Sequence, residues 1–176
     1  MLTSRATVLA AALLLPLTAA CGGGDDDAQA SKAISDSIME SQEEQSGNAQ
    51  MFAMPREDAD CIGDGFVDRI GTEKLQEYGF LTEDLKAASD FTNVEMAKED
   101  AEAAADTVIE CADVQQMMSQ AMGEVDAKTR ECFEGVLTED ALRSLFTKMF
   151  SGQQEEAGQE LIQPMMECAA PGLQDQ

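Results

Sequence analysis

The chain has 176 residues, with 35 Asp and Glu against 11 Lys and Arg, a formal charge of −24 at pH 7, five Cys, no His and no Trp. Without His, the Ser-His-Asp and Cys-His relays, His-ligated zinc and His-ligated haem are excluded. So large a negative charge repels phosphate backbones, which proteins hold through Lys and Arg, and this argues against a nucleic-acid partner.

In chain order, the first twenty residues read as an address. Arg5 is a small positive n-region, residues 6–17 are an apolar run too short to span a bilayer, and Pro16 to Cys21 (PLTAAC) follows. This is the pattern of a secretory signal peptide. Ala19 and Ala20 before Cys21, with Gly22 to Asp27 (GGGDDD) after it, resemble the lipobox of bacterial lipoproteins, although Thr18 stands where that family usually has Leu. The resemblance implies cleavage after residue 20 and a diacylglycerol thioether on Cys21, the new N-terminus. It places the protein at the extracytoplasmic face of the cell membrane. At roughly 0.8 kcal/mol per buried methylene, two or three acyl chains suffice to hold it there.

Residues 21–56 are expected to contain a flexible acidic tether over Gly22 to Asp27, a short amphipathic helix with Ala30, Ala33, Ile34, Ser37 and Ile38 at helical spacing, and a polar loop over 40–50. Residues 57–176 form the main domain. Ile62, Phe66 and Ile70 recur at i, i+4 and i+8, with Asp60, Asp64 and Asp68 on the opposite face. Thr72 is placed to N-cap a short helix that Gly79 closes. A longer helix over about 94–112 turns Ala101, Ala104, Ala105, Val108 and Ala112 inward, and Met117, Met118, Ala121 and Met122 form the next stripe, stopped by Gly123. After Phe133, Val136 and Leu137, a helix bracketed by Thr138 and Gly152 carries Leu142, Leu145, Phe146, Met149 and Phe150. Leu161, Ile162, Met165, Met166 and Ala169 continue the period across Pro164, which is expected to kink that helix or begin a new one. No segment alternates with period two over a useful length. The fold class is all-α, a compact multi-helix bundle.

Four cysteines remain beyond Cys21, an even number in an oxidising compartment and thus two disulfides. A degenerate repeat organises them. Cys61 and Cys132 each open a helix bearing an inward aromatic, Phe66 or Phe133, and Glu-Cys-Ala closes each half at Cys111 and Cys168. The simplest pairing is Cys61 with Cys111 and Cys132 with Cys168. Chain entropy does not choose, because each loop closure is worth roughly 4 kcal/mol and the nested alternative sums to about the same. The arrangement of lipobox, tether, Ala59 to Gly79 (ADCIGDGFVDRIGTEKLQEYG) and two Cys-bounded units resembles secreted and lipid-anchored helical proteins of high-GC Gram-positive bacteria. That resemblance implies fold and address and brings no activity.

Three chemistries invite comparison with plainer readings. An EF-hand loop begun at Asp58 would need oxygen donors at Ile62 and Arg69, and one begun at Asp60 fails at Ile62 and Gly71, so no calcium loop can be built. Met51 with Met54, the Met117, Met118 and Met122 group, and Met165 with Met166 suggest thioether ligands for Cu(I), yet the last two groups sit on apolar stripes, where Met is a pliable core filler. Met51 and Met54 stay unexplained. Carboxylate pairs are inevitable among 35 acids, and no Gly-rich phosphate loop or GxSxG elbow is present. The expectation is therefore a non-enzyme without metal or cofactor, a protein-binding or envelope-structural module that its acidity keeps soluble and clear of anionic wall polymers. The alternative is a small-molecule or lipid-binding protein with a groove formed by Met117, Met118, Met122, Phe146, Met149, Phe150, Met165 and Met166.

Overall fold

The computed structural model describes residues 24–44, 54–88, 94–121, 123 and 125–169. Among them are eight helices: α1 (Asp25–Glu44), α2 (Arg56–Ile70), α3 (Thr72–Glu77), α4 (Lys98–Cys111), α5 (Val114–Ala121), α6 (Ala127–Val136), α7 (Glu139–Phe150) and α8 (Gln154–Ala169). The only extended pairing among the described residues is an isolated bridge between Leu81 and Ala87. The all-α expectation holds.

The first helix is longer than its apolar stripe suggested. Asp25, Asp26 and Asp27, expected in the tether, are its first turn, and the Gly24 carbonyl accepts from the Asp27 and Ala28 N–H groups. Three carboxylates at a helix N-terminus are stabilised by the free N–H groups and the positive end of the dipole, so an acidic run that reads as solvated linker is equally a helix start. Asp27 also accepts from the Thr72 hydroxyl at 2.6 Å. That contact explains a second difference: Thr72 is the first residue of α3 and Gly71, at φ 91°, stands at the cap, so the Thr72 side chain ties α3 to α1 instead of capping its own helix.

Glycine ends two helices as the sequence suggests. Gly79, at φ 77°, closes α3 in a Schellman arrangement: its N–H reaches the Gln76 carbonyl and the Phe80 N–H reaches Leu75. The turn delivers Phe80 into the core. Gly152, also at φ 77°, ends α7 in the same way, with Gln153 N–H on the Lys148 carbonyl. Thr138 caps α7 by accepting from the Ala141 N–H at 3.2 Å, and Asp126 caps α6. Pro164 does not begin a new helix, since α8 runs through it.

α1 and α4 pack on either side of α2. Ile62, Phe66 and Ile70 are buried, while Asp60, Asp64 and Asp68 face outward. Gly63 is buried against α1: a Cβ there would lie 2.5 Å from the Ser31 carbonyl oxygen and 2.6 Å from the Ser35 hydroxyl. Ser35, itself buried, lies 3.1 Å from both the Ser31 and Ala59 carbonyls and satisfies its hydroxyl there. Gly65 makes the corresponding approach to α4, where a Cβ would meet the Thr107 methyl at 2.5 Å. Ala101, Ala104 and Ala105 are fully buried on α4.

The disulfides are Cys61–Cys111 and Cys132–Cys168, with Cα separations of 5.5 and 5.6 Å, as the repeat suggests. Neither Cys61 nor Cys132 opens its helix; each lies one turn and more inside, in α2 and α6. The first bridge joins α2 to the end of α4, and the second joins α6 to the end of α8. α7 packs against both α4 and α8 and so connects the two stapled units.

A polar cluster secures α3 to the start of α4. The Asp100 carboxylate, almost fully buried, accepts from the Tyr78 hydroxyl at 2.7 Å and from the Lys74 ammonium at 2.9 Å. These bonds, Tyr78 first, hold Asp100 below the ordinary carboxylate pKa of 3.8. A carboxyl whose folded pKa is depressed stabilises the fold above its unfolded pKa and loses that contribution as pH falls through the folded value. Asp100→Asn is therefore expected to lower stability at pH 7 by about 1.5–3 kcal/mol, the range for hydrogen bonds to a charged group, and the difference from wild type should shrink below pH 4 in urea titrations. Gly63→Ala is expected to destabilise by about 1–3 kcal/mol in the same assay despite the better helix propensity of Ala, because the new methyl meets a backbone carbonyl that cannot rotate away.

Candidate functional site

The apolar faces of α1, α2, α4 and α7 do not close completely on one another. They leave between them a half-open apolar cavity of about 820 Å³. From α1 come Ile34, Ser37, Ile38 and Ser41, spaced i, i+3, i+4 and i+7 and hence one face of the C-terminal half of that helix. α2 supplies Ile62 and Phe66, one turn apart, and α4 supplies Val108. Met149 and Phe150 come from the last turn of α7, Gln154 from the start of α8, and Met54, Phe80 and Val94 from the connections.

The local sequence explains why the space opens here. On one flank of α2 the small residues Ala30, Ser31, Ala59 and Gly63 let two backbones meet. The Ile and Phe stripe turns away from that contact, and opposite it stands the aromatic end of α7. Phe66, Phe80 and Phe150 form a triangle with centroid distances of 5.7, 5.8 and 6.2 Å, the first two pairs edge to face. Edge-to-face rings of this kind are favourable but hold their neighbours apart at ring width. Phe146 stacks on Phe150 at 6.5 Å from the outer side. The Met96 N–H donates to the Phe150 carbonyl at 2.8 Å and keeps the 94–97 segment beside the cavity.

The groove expected from the sequence is assembled only in part. Met149 and Phe150 line the cavity, and Phe146 supports it through Phe150. Met117 and Met118 are half-buried on α5, Met165 is half-buried on α8, Met166 on α8 is 66% exposed, and none of these four lines the cavity. Met122 lies outside the described residues, as do Met51, Cys21 and the leader. Met54, unexplained by periodicity, belongs to the wall. Ile34, Ile38, Ile62, Phe66 and Val108 were visible in the sequence as inward-facing positions, but the pattern that marks a core residue is identical for a cavity residue.

Among the described residues no wall side chain carries a charge. The basic groups nearest along the chain are committed elsewhere: Arg56 and Lys32 both bind Asp36, Arg56 also reaches Asp60 at 3.0 Å, and Lys148 pairs with Glu160. Hydrogen bonds from Lys32 first and Arg56 second hold the Asp36 carboxyl below the usual carboxylate value. Two smaller hollows, of about 290 and 370 Å³, lie around the turn between α4 and α5, share Asp113 and Gln115, and have mixed polar walls. The Asp58 to Gly65 segment is helical throughout, part of α2. Among the described residues no helix is long and apolar enough to cross a membrane. No protein-family model, curated protein or solved structure matches the chain. The site thus offers a half-open apolar volume with two serine hydroxyls and an amide in its wall.

Proposed function

We propose that the chain is an exported lipoprotein held by a lipid on Cys21 at the extracytoplasmic face of the cell membrane, and that its helical domain is a non-catalytic module binding an apolar small molecule. The 820 Å³ cavity carries the binding half of this reading. Protein interiors pack to crystal-like density, and a space of this size walled by Ile, Phe, Val and Met falls in the range of small-molecule sites. Composition and helical spacing favoured a protein-docking or envelope-structural role; the cavity moves the balance to the apolar ligand. The leader and the Ala19-Ala20-Cys21 junction support the address.

The position of α1 supports a defined standoff. Four residue steps from Cys21 to Asp25 reach at most about 14 Å. Nine further helical residues to Ile34 add roughly 14 Å more. The acidic first turn stands at the anchored end and the cavity wall at the far end of the same helix. A protein partner retains one specific support, the exposed pair Ile162 and Met166 one turn apart on α8.

Two measurements test the parts separately. Metabolic labelling with an alkynyl fatty acid is expected to mark the wild-type protein, and Cys21→Ala is expected to lose the label and leave the membrane fraction. Nile red is expected to bind the exported, oxidised protein at one site with a blue-shifted, enhanced emission. Ser41→Trp, which places an indole at the cavity border from an exposed position, should weaken that binding at least tenfold while the thermal midpoint stays within a few degrees.

A further inference from the structure

Granting that the cavity is a ligand site, we infer that its ligand is an uncharged single-chain amphiphile with a hydroxyl head, such as a long-chain alcohol or monoacylglycerol, and that fatty-acid carboxylates are rejected. Three observations carry this. Among the described residues the wall contains neither a basic nor an acidic side chain, so a charged head of either sign finds no counter-ion among them. An ion moved from water into such surroundings without a partner is strongly disfavoured. In the chain, Asp36 precedes Ser37, Glu40 precedes Ser41, Glu95 follows Val94, Lys148 precedes Met149 and Glu155 follows Gln154. Lys32 and Arg56 are held in ion pairs with Asp36 and Asp60, Lys98 with Glu102, and Lys148 with Glu160. These four cations are thus already engaged by carboxylates of the protein. Finally, the wall offers polar contact of a neutral kind. Ser41 donates to the Ile38 carbonyl at 2.8 Å and keeps its oxygen as an acceptor, and the half-buried Ser37 hydroxyl, one turn earlier on the same face, makes no hydrogen bond among the described residues. A hydroxyl head can donate to one serine and accept from the other.

The test is displacement of Nile red from the exported, oxidised full chain by 1-hexadecanol, monopalmitoylglycerol and palmitate at pH 8, where the fatty acid in water is ionised. The alcohol and the monoglyceride are expected to compete at least tenfold more effectively than palmitate. Palmitate should gain as pH is lowered towards 5, while the alcohol does not change. Ser37→Lys, which sets a cation on the wall at a half-exposed position, is expected to raise palmitate competition at least tenfold. Equal competition by palmitate and hexadecanol at pH 8, or no gain for palmitate with Ser37→Lys in a variant that still binds Nile red, overturns the ligand class and leaves the cavity reading standing. Absence of Nile red binding by the wild-type chain overturns both.

Discussion

The structure depends on how closely backbones can approach α2. Gly63 on one flank and Gly65 on the other remove the side chains that would otherwise stand between this helix and its neighbours, so the Ser31 carbonyl of α1 and the Thr107 methyl of α4 sit where a Cβ would be. Interfaces of this kind gain dense contact for little side-chain entropy, and they fix helix separation within tenths of an ångström. The Cys61–Cys111 bridge lies one turn from the Gly65–Thr107 contact and sets the antiparallel register of α2 on α4. The buried Ser35 hydroxyl does the same for α1 on α2.

With two helices held that tightly on small residues, the large residues of the same helices cannot also close up. Ile34, Ile38, Ile62, Phe66 and Val108 project beyond the close contacts towards the end of α7, where the Phe66, Phe80 and Phe150 rings meet at fixed spacing. Each of these rings arrives by a separate local device. Phe66 follows the α2 stripe, Phe80 is delivered by the Gly79 turn, and Phe150 ends α7 just before the Gly152 turn. The cavity is a consequence of rigid parts that meet at ring width, and this is why an apolar ligand is a more economical reading than a mobile groove.

The acidity of the chain has a local as well as a global consequence. Lys32 and Arg56 are paired with Asp36 and Lys148 with Glu160, and the Lys74 and Tyr78 groups bind Asp100 and hold α3 to α4.

The sequence by itself determined what local rules control. Helical periodicity set the fold class and the inward faces, Thr138, Gly79 and Gly152 set helix ends, and the Cys-bounded repeat favoured the disulfide pairing that the structure shows. It misread Asp25 to Asp27 as linker, because a carboxylate run is compatible with both solvent and a helix N-terminus, and it misplaced Thr72, whose hydroxyl answers to Asp27 on another helix. It collected Met117, Met118, Met165 and Met166 into one groove because spacing says which face a residue occupies on its own helix and nothing about which helices meet. Only the tertiary structure decided that Met54, Phe80 and Val94 join Ile34 and Ile62 around an open volume, since whether inward faces close or leave space depends on backbone separations set at glycines elsewhere along α2.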